Sequence, residues 1–591
     1  MGWERERFMA AWSVTRTGVC AAGVVAAVQG LLLLTGNGAV LHGTLLDPDC
    51  YMHLQRTLGM MRDGRWHETL DPRINAPYGY AIHWTAVFDL LLAAGAAVLH
   101  ALGLGLHQAL LVWGSAISPL LLVAALAVFA WGVKRRVSGP LFLWLTLLLF
   151  TQPQLSGAFI AGRPDHHSLV LGLLLAQLAW LYALFDGRAG WRWALAAGVL
   201  AGLQLCTSVE GLLTILLVSA SLAAAWLFYG RHCLKALWLY LGGCVAVVFL
   251  WLGWEDGRYL FQPAYDRVSV VHLVALGSGF LAFGVLAWVD SRGWLERKPL
   301  RIAAAVVAGV AAAALTGAFY PDFFLGPWPH LDPAVVAFHR QIAELQPLAP
   351  LSWHRLAMFL AQMTAPVLAL PLVIARLRHQ EDGPVMLLSL LGFLLFAALA
   401  MFQMRWSGEV QAVMLLPWTL TTVAIMQSEI SLLGVKLRSF ALGGALLLQL
   451  LPASLAQSGK LSLADVTTHP ANRCGWSQAA AVLHDSVKPG TIVMAPLWVG
   501  PEILWRSDLR VVAGPYEMPP ALADTAAFFE GSEAAAHAVV QSRRIGFALV
   551  CRTDRGKGFG NELAAGRVPV WLKPVPFKGG PKEFALYRVA D

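Results

Sequence analysis

Apolar runs of roughly 18 to 25 residues recur from position 18 to about 457, and short polar stretches separate them. Each run is long enough to span a hydrocarbon core of about 30 Å as a helix, which satisfies its own backbone polar groups in lipid. The runs predict crossings at 18–40, 108–132, 138–157, 168–185, 192–208, 210–229, 236–253, 270–289, 302–319, 354–375, 384–402, 409–427 and 439–457, thirteen in all. A further apolar run at 86–104 reads as an interfacial or re-entrant helix, because a crossing there would put the next basic cluster on the wrong side. After 457 the pattern changes. Short β-type runs, TIVMAPL at 491, LRVVAGP at 509, IGFALVC at 545 and FALYRVA at 584, alternate with alanine-rich helical stretches and predict a small α/β domain. The chain therefore divides into a membrane part, 1–457, and a terminal α/β domain, 458–591.

Composition agrees: 58% of residues are hydrophobic and 13% charged, about half the charged share of a soluble globule. The formal charge of +8 does not point to nucleic acid, because Lys and Arg sit in short loops between the runs rather than in one patch. Those basic clusters, Lys134 to Arg136, Arg188 with Arg192, Arg231 with Lys235, Arg292 to Arg301, Arg376 with Arg378, and Lys436 with Arg438, mark cytoplasmic loops. The start MGWERERF is basic but leads into an apolar run too long for a cleaved signal, so it reads as a signal anchor beginning in the cytoplasm of a bacterial inner membrane protein. The segments 41–107, 158–167, 254–269, 320–353, 403–408 and 458–591 then face the periplasm. The seven cysteines show no CxxC spacing. Cys474 and Cys551 share the terminal domain, where pairing stays open.

The unusual polar residues fall on these outward segments. Asp47 and Asp49, in LLDPDCYMHLQR, follow the first crossing; each is either a helix cap or a ligand for a hard cation. GRPDHHSL brings Asp165, His166 and His167 between two crossings, with a carboxylate and an imidazole two residues apart that suit one divalent ion. Glu210 opens a crossing, where an acid also suits the helix N-terminus. Glu344 lies in FHRQIAELQP, and Arg405 and Glu409 in MRWSGEVQ; an Arg there either grips phosphate in a fork or snorkels to the interface. Several acids, a His pair and an Arg on one side form a pattern fit for metal-assisted phosphate chemistry.

In order and side, these motifs resemble the catalytic subunit of oligosaccharyltransferases, a polytopic GT-C family with thirteen spans and a lumenal or periplasmic C-terminal domain. DPDCYMHLQR is similar to the family's first acidic motif, and alignment on His53 and Leu54 selects Asp49 over Asp47. GRPDHHSL resembles the second motif in its Asp-x-His form, QIAELQP the flexible external-loop motif, and NAPYGYAIHWT, with Asn75, Pro77, Gly79 and Trp84, the family's first loop. Arg405 stands where the family carries a pyrophosphate-binding Arg. Two features depart from the family. Gln55 replaces a frequent Arg, although Arg56 is adjacent, and the terminal domain lacks the Trp-Trp-Asp-Tyr-Gly signature that reads a sequon, PLWVGPEI at Pro496 to Ile503 being the nearest counterpart.

The resemblance implies inverting transfer of a glycan from a polyprenyl phosphate or pyrophosphate donor to a periplasmic protein, glycan or lipid acceptor. Asp49, Asp165 and His167 would hold Mg²⁺ or Mn²⁺, Asp49 and Glu344 would polarise the acceptor, and Arg405 would grip the donor phosphate, with Asp47, His166, Arg56 and Glu210 as secondary candidates. The loop 320–353 would close over the bound acceptor. A rival is a GT-C enzyme that moves one sugar from a polyprenyl monophosphate to lipopolysaccharide or another envelope glycan. A transporter or flippase would leave mid-span charges or inverted repeats, and neither is seen in the crossings.

Overall fold

The structure, a computed structural model, describes residues 13–590 apart from 65, 67–69, 231, 327–330, 349–352, 429–430, 433–434, 437–440, 451–473 and 554–555. The basic start, the end of the crossing expected at 439–457 and the first residues of the terminal domain lie outside the described residues. Among the described residues ten helices are long and apolar enough to cross a membrane: Val14–Thr35, Leu106–Val133, His166–Phe185, Gly211–Phe228, His232–Glu255, Val270–Ser291, Lys298–Phe319, Arg355–Arg378, Gly383–Phe402 and Met404–Gln427. The chain is a multi-pass membrane protein.

The other three expected crossings fall on shorter helices. The run 138–157 breaks into Pro140–Phe150 and Pro153–Gly157, because Pro153 has no N–H to continue the ladder and the preceding turn tightens to i→i−3 bonds at Thr151 and Gln152. The run 192–208 is a 14-residue helix, Ala194–Thr207, entered by a 3₁₀ turn and ended where Ser208 becomes extended. For 439–457 the described part is Ala441–Leu450. The leftover run at 86–104 forms Val87–Ala101, 15 residues and so about 22 Å long at 1.5 Å per residue, short of the hydrocarbon thickness.

Two of the ten helices, His166–Phe185 and Met404–Gln427, are the most deeply buried of the set. A helix that is apolar all round can sit among other helices with no face left for water. The N-terminal ends of these inner helices carry Asp165, His166 and His167, and Arg405 and Glu409. The polar groups at this end of the membrane bundle are thus carried by its two most buried helices.

The terminal domain is built on five strands, β1 Ile492–Met494, β2 Arg510–Val511, β3 Phe547–Cys551, β4 Leu572–Val575 and β5 Phe584–Val589. They lie in the order β2-β1-β3-β5-β4, with the first three parallel and β5 antiparallel to both neighbours. Four of them occupy the expected apolar runs. The strand β4, LKPV, does not read as one in sequence because it is an edge strand whose middle residues, Lys573 and Pro574, are exposed. Cys474 and Cys551 form a disulfide that ties the start of the domain to the end of β3.

The first external loop docks on this sheet. Val511 N–H donates to Arg73 O at 2.8 Å and Ala76 N–H to Val511 O at 3.0 Å, so the loop covers the edge that β2 would otherwise expose. Gly514 allows the close approach: a Cβ there would come within 2.8 Å of Ile74 Cδ1. Arg543, only 1% exposed, donates to Asp524 Oδ2 at 2.6 Å and to Asn75 Oδ1 and Ala76 O at 2.9 Å each. Replacing Arg543 by Ala leaves these acceptors unmet and is expected to cost about 2–3 kcal/mol. A lowered unfolding midpoint in detergent, with faster proteolysis near residues 73–77, checks this; an unchanged midpoint contradicts it.

Candidate metal centre and substrate cavity

Two of the acidic positions serve as helix caps, and the caps build the site. Asp47 is the N-cap of the Pro48–Asp63 helix, its Oδ1 accepting from Cys50 N–H at 3.0 Å. Asp165 is the N-cap of His166–Phe185, accepting from His167 N–H at 3.2 Å. A carboxylate at a helix start is favoured by the unpaired N–H groups and the positive end of the dipole. Arg163 joins the two caps, with Nε 3.1 Å from Asp47 Oδ2 and Nη2 3.1 Å from Asp165 Oδ2. Asp49, the second residue of the Pro48–Asp63 helix, makes no cap and faces a cavity of about 180 Å³.

Asp49, His166, His167, Glu210, Glu344 and Arg405 all line this cavity. Arg405 Nη2 lies 2.5 Å from Glu210 Oε1 and 3.2 Å from His167 Nε2. Glu210 stands at an N-cap position but makes no cap hydrogen bond; its carboxylate turns to Arg405 instead. Glu344 arrives on the short 3₁₀ turn Ala343–Leu345. That turn is stapled to the Arg405 turn by Met404 N–H donating to Gln346 O at 2.9 Å, while the Gln346 amide donates to His339, Arg340 and Ile342 carbonyls. Arg56 is not part of this group. It borders a separate cavity of about 550 Å³ and ion-pairs with Asp89 at 3.1 Å.

Charge is unevenly distributed over the acids. Burial, followed by the carboxylates of Asp47, Asp165 and Glu344, pushes the Asp49 carboxyl well above its ordinary value of 3.8. Burial would also raise Asp165, but His167, His166 and Arg163 together hold it well below the usual carboxylate range. Glu344 is likewise kept low against burial by Arg405, His167 and Arg163. Asp165 and Glu344 thus have cationic or imidazole neighbours that favour their charged forms, whereas the charged neighbours of Asp49 are carboxylates. A divalent cation beside Asp49 would supply the opposite charge, and carboxylate oxygens with imidazole nitrogens are a suitable donor set.

Behind the cavity, His53, Asp165 and His166 form a buried group whose ligand atoms all lie within 4.8 Å of one another, and which could hold a metal ion. Trp84, flagged by the first-loop resemblance, stacks on His53 with centroids 4.3 Å apart and meets Tyr516 edge-on at 5.4 Å.

The terminal domain reaches the cavity through Pro515, Tyr516 and Glu517. The expected counterpart of the sequon signature, PLWVGPEI, does not line it; there Trp498 packs against Phe338, with ring centroids 5.6 Å apart. Glu517 Oε1 meets His339 Nε2 at 3.0 Å, which joins the external loop to the terminal domain. Sequence reasoning missed Arg163, Asp89, Tyr516 and Glu517. Asp89 did carry a signal, as the one acid in the apolar run 86–104. Tyr516 and Glu517 carried none, because only the docking of the first loop turns their segment inward.

No family model and no curated protein matches the sequence. Solved structures do match. The archaeal oligosaccharyltransferase AglB from Archaeoglobus fulgidus, in complex with an inhibitory peptide and a dolichol-phosphate, superposes with a TM-score of 0.70 at 14% identity, covering 94% of this chain and 72% of that one. The apo form of the Archaeoglobus fulgidus enzyme gives 0.69 at 14% identity over 90% and 69%. Its complex with zinc and sulfate gives 0.61 at 13% identity over 90% and 68%. At such identities the likeness is one of fold: a GT-C-like, mostly helical membrane bundle with a C-terminal mixed-sheet domain.

A pH prediction follows from Asp49. Between pH 3.8 and its raised value the folded protein holds a proton that the unfolded chain releases, so ion-free stability falls as pH rises through that window. In chelator, Asp49→Asn should therefore unfold at a higher temperature than wild type, by a margin that grows with pH, and added Mn²⁺ should reverse the order. The same ranking in chelator and in Mn²⁺ would count against a cation beside Asp49.

Proposed function

We propose that this chain is a GT-C glycosyltransferase of a bacterial inner membrane that transfers a glycan from a polyprenyl-phosphate-linked donor to an acceptor on the non-cytoplasmic side. The observation that carries the reading is the convergence of Asp49, His167, Glu210, Glu344 and Arg405, from separate loops of the bundle, on one cavity in a fold shared with an oligosaccharyltransferase. That relative's complexes with dolichol-phosphate and with zinc and sulfate support a lipid phosphate and a cation as ligands here. The orientation rests on the basic loops and on the Cys474–Cys551 pair, which suits an oxidising compartment.

Asp49, Asp165 and His167 would hold a divalent ion, Mg²⁺ or Mn²⁺, which when bound neutralises charge on the departing phosphate. The chain's own residues do the rest. Arg405 grips phosphate oxygens with the guanidinium edge that Glu210 and His167 leave free, and their contacts hold it in place. Glu344, kept ionised by Arg405, accepts hydrogen bonds and finally the proton of the acceptor nucleophile as its bond to the anomeric carbon forms and the bond to phosphate breaks. One displacement at that carbon inverts it. The stapled loop that carries Glu344 keeps water from competing with the acceptor.

A second reading, transfer of a single sugar from a polyprenyl monophosphate to an envelope glycan or lipid, is favoured by one observation. The terminal-domain face of the cavity is Pro515–Tyr516–Glu517, and the PLWVGPEI segment is not among its lining residues, Trp498 packing behind the lining residue Phe338.

Asp49→Ala and Glu344→Ala should each lower transfer about 100-fold or more while leaving the protein in the membrane. Mass analysis of the envelope, following glycoproteins and glycolipids together, measures this. A sugar lost from proteins alone supports oligosaccharyl transfer, loss from a glycolipid supports the second reading, and no change in either variant contradicts both.

A further inference from the structure

Asp89 is fully buried on a helix too short to cross the membrane, and it has no place in the transfer chemistry above. Its Oδ1 lies 2.7 Å from His53 Nδ1, and its Oδ2 faces Arg56 Nη1 at 3.1 Å as an ion pair. A carboxylate paired with a guanidinium only accepts, so His53 carries its proton on Nδ1 and turns the lone pair of Nε2 the other way. That lone pair meets His166 Nδ1 at 3.1 Å, and the same His166 nitrogen is 3.1 Å from Asp165 Oδ1. Three ligand atoms therefore converge with a single ring nitrogen available to donate, so one N–H is split between two acceptors and satisfies neither in full. Two bonds of about 2.1 Å at a tetrahedral angle place their ligand atoms about 3.4 Å apart, so the two 3.1 Å contacts need open only slightly to admit an ion.

We propose that His53 Nε2, His166 Nδ1 and Asp165 Oδ1 form an imidazole-rich seat for a transition-metal dication of the zinc type, with Asp89 as the residue that aims His53 into it. Two nitrogens and one carboxylate oxygen favour such an ion over Mg²⁺ or Ca²⁺, which seek oxygen ligands. Asp89 on the far nitrogen of a ligating imidazole, itself held by Arg56, is the outer arrangement that fixes a ligand's tautomer and raises its basicity. The stack of Trp84 on His53 fixes the ring plane from the side. His166 also lines the substrate cavity, which gives an ion a route in. The seat shares Asp165 with the carboxylate centre but uses neither Asp49, His167 nor Glu344, so it goes beyond the transfer reading.

Co²⁺ added to chelator-stripped, detergent-solubilised protein tests the seat, because its visible absorption reports nitrogen coordination without any glycan transfer. Wild type and Asp49→Asn should both develop the spectrum of a nitrogen-ligated ion. His53→Gln should lose it, and Asp89→Asn should bind about 10- to 100-fold more weakly. Should His53→Gln fail to fold, Asp89→Asn, with tryptophan fluorescence as the fold check, decides alone. Wild-type Co²⁺ affinity in Asp89→Asn, or loss of the spectrum in Asp49→Asn, overturns the proposal. Because envelope glycosylation is not the readout, the seat and the transfer reading stand or fall separately.

Discussion

Carboxylates cannot be gathered at one end of a helix bundle unless positive charge is built in among them, and Arg163 and Arg405 meet that constraint here. Arg163 spans the two capping aspartates, Asp47 and Asp165, and Arg405 sits among Glu210, Glu344 and His167. Asp49 instead lies where burial and the carboxylates of Asp47, Asp165 and Glu344 all work against its charge. That charge is local, faces a cavity and is surrounded by oxygen and imidazole ligands. Those are the conditions under which a small divalent ion binds.

The fold delivers this arrangement by putting its polar residues at helix ends. The two most buried helices end at the cavity, so the groups at their N-termini inherit the rigidity of the packed bundle. The terminal domain closes the opposite side through the first external loop, whose backbone pairs with β2 and whose Arg543 contacts are buried. Glu517 and His339 then connect that domain to the loop bearing Glu344. This side of the cavity is in this way set by residues from three distant parts of the chain.

Much of this was legible in the sequence. Ten of the thirteen expected crossings are helices long enough to span, because a uniformly apolar run has few other options in lipid. Where the expectation weakens, as at 138–157, a single Pro153 was enough to split the run. Asp49, Asp165, His167, Glu344 and Arg405 all stood out as polar residues at helix boundaries, and the structure gathers them. Asp47 and Asp165 are both helix caps, and Arg163 joins the two. What the sequence hid depends on tertiary docking: Arg163 gains meaning only between two caps, Asp89 only beside His53, and Tyr516 with Glu517 only once the terminal sheet is seated on the first loop. PLWVGPEI, the nearest counterpart of the sequon signature in sequence, lies one layer behind the cavity, with Trp498 against Phe338.

The proposed transfer requires the acids, imidazoles and guanidiniums at this face to bind a cation and a lipid phosphate together. Native mass spectrometry of the detergent-solubilised protein with undecaprenyl phosphate, with and without Mn²⁺, measures that coupling. Mn²⁺ should increase lipid retention in wild type, and Asp165→Asn and Arg405→Ala should abolish the increase. Equal retention with and without the ion in wild type would contradict it.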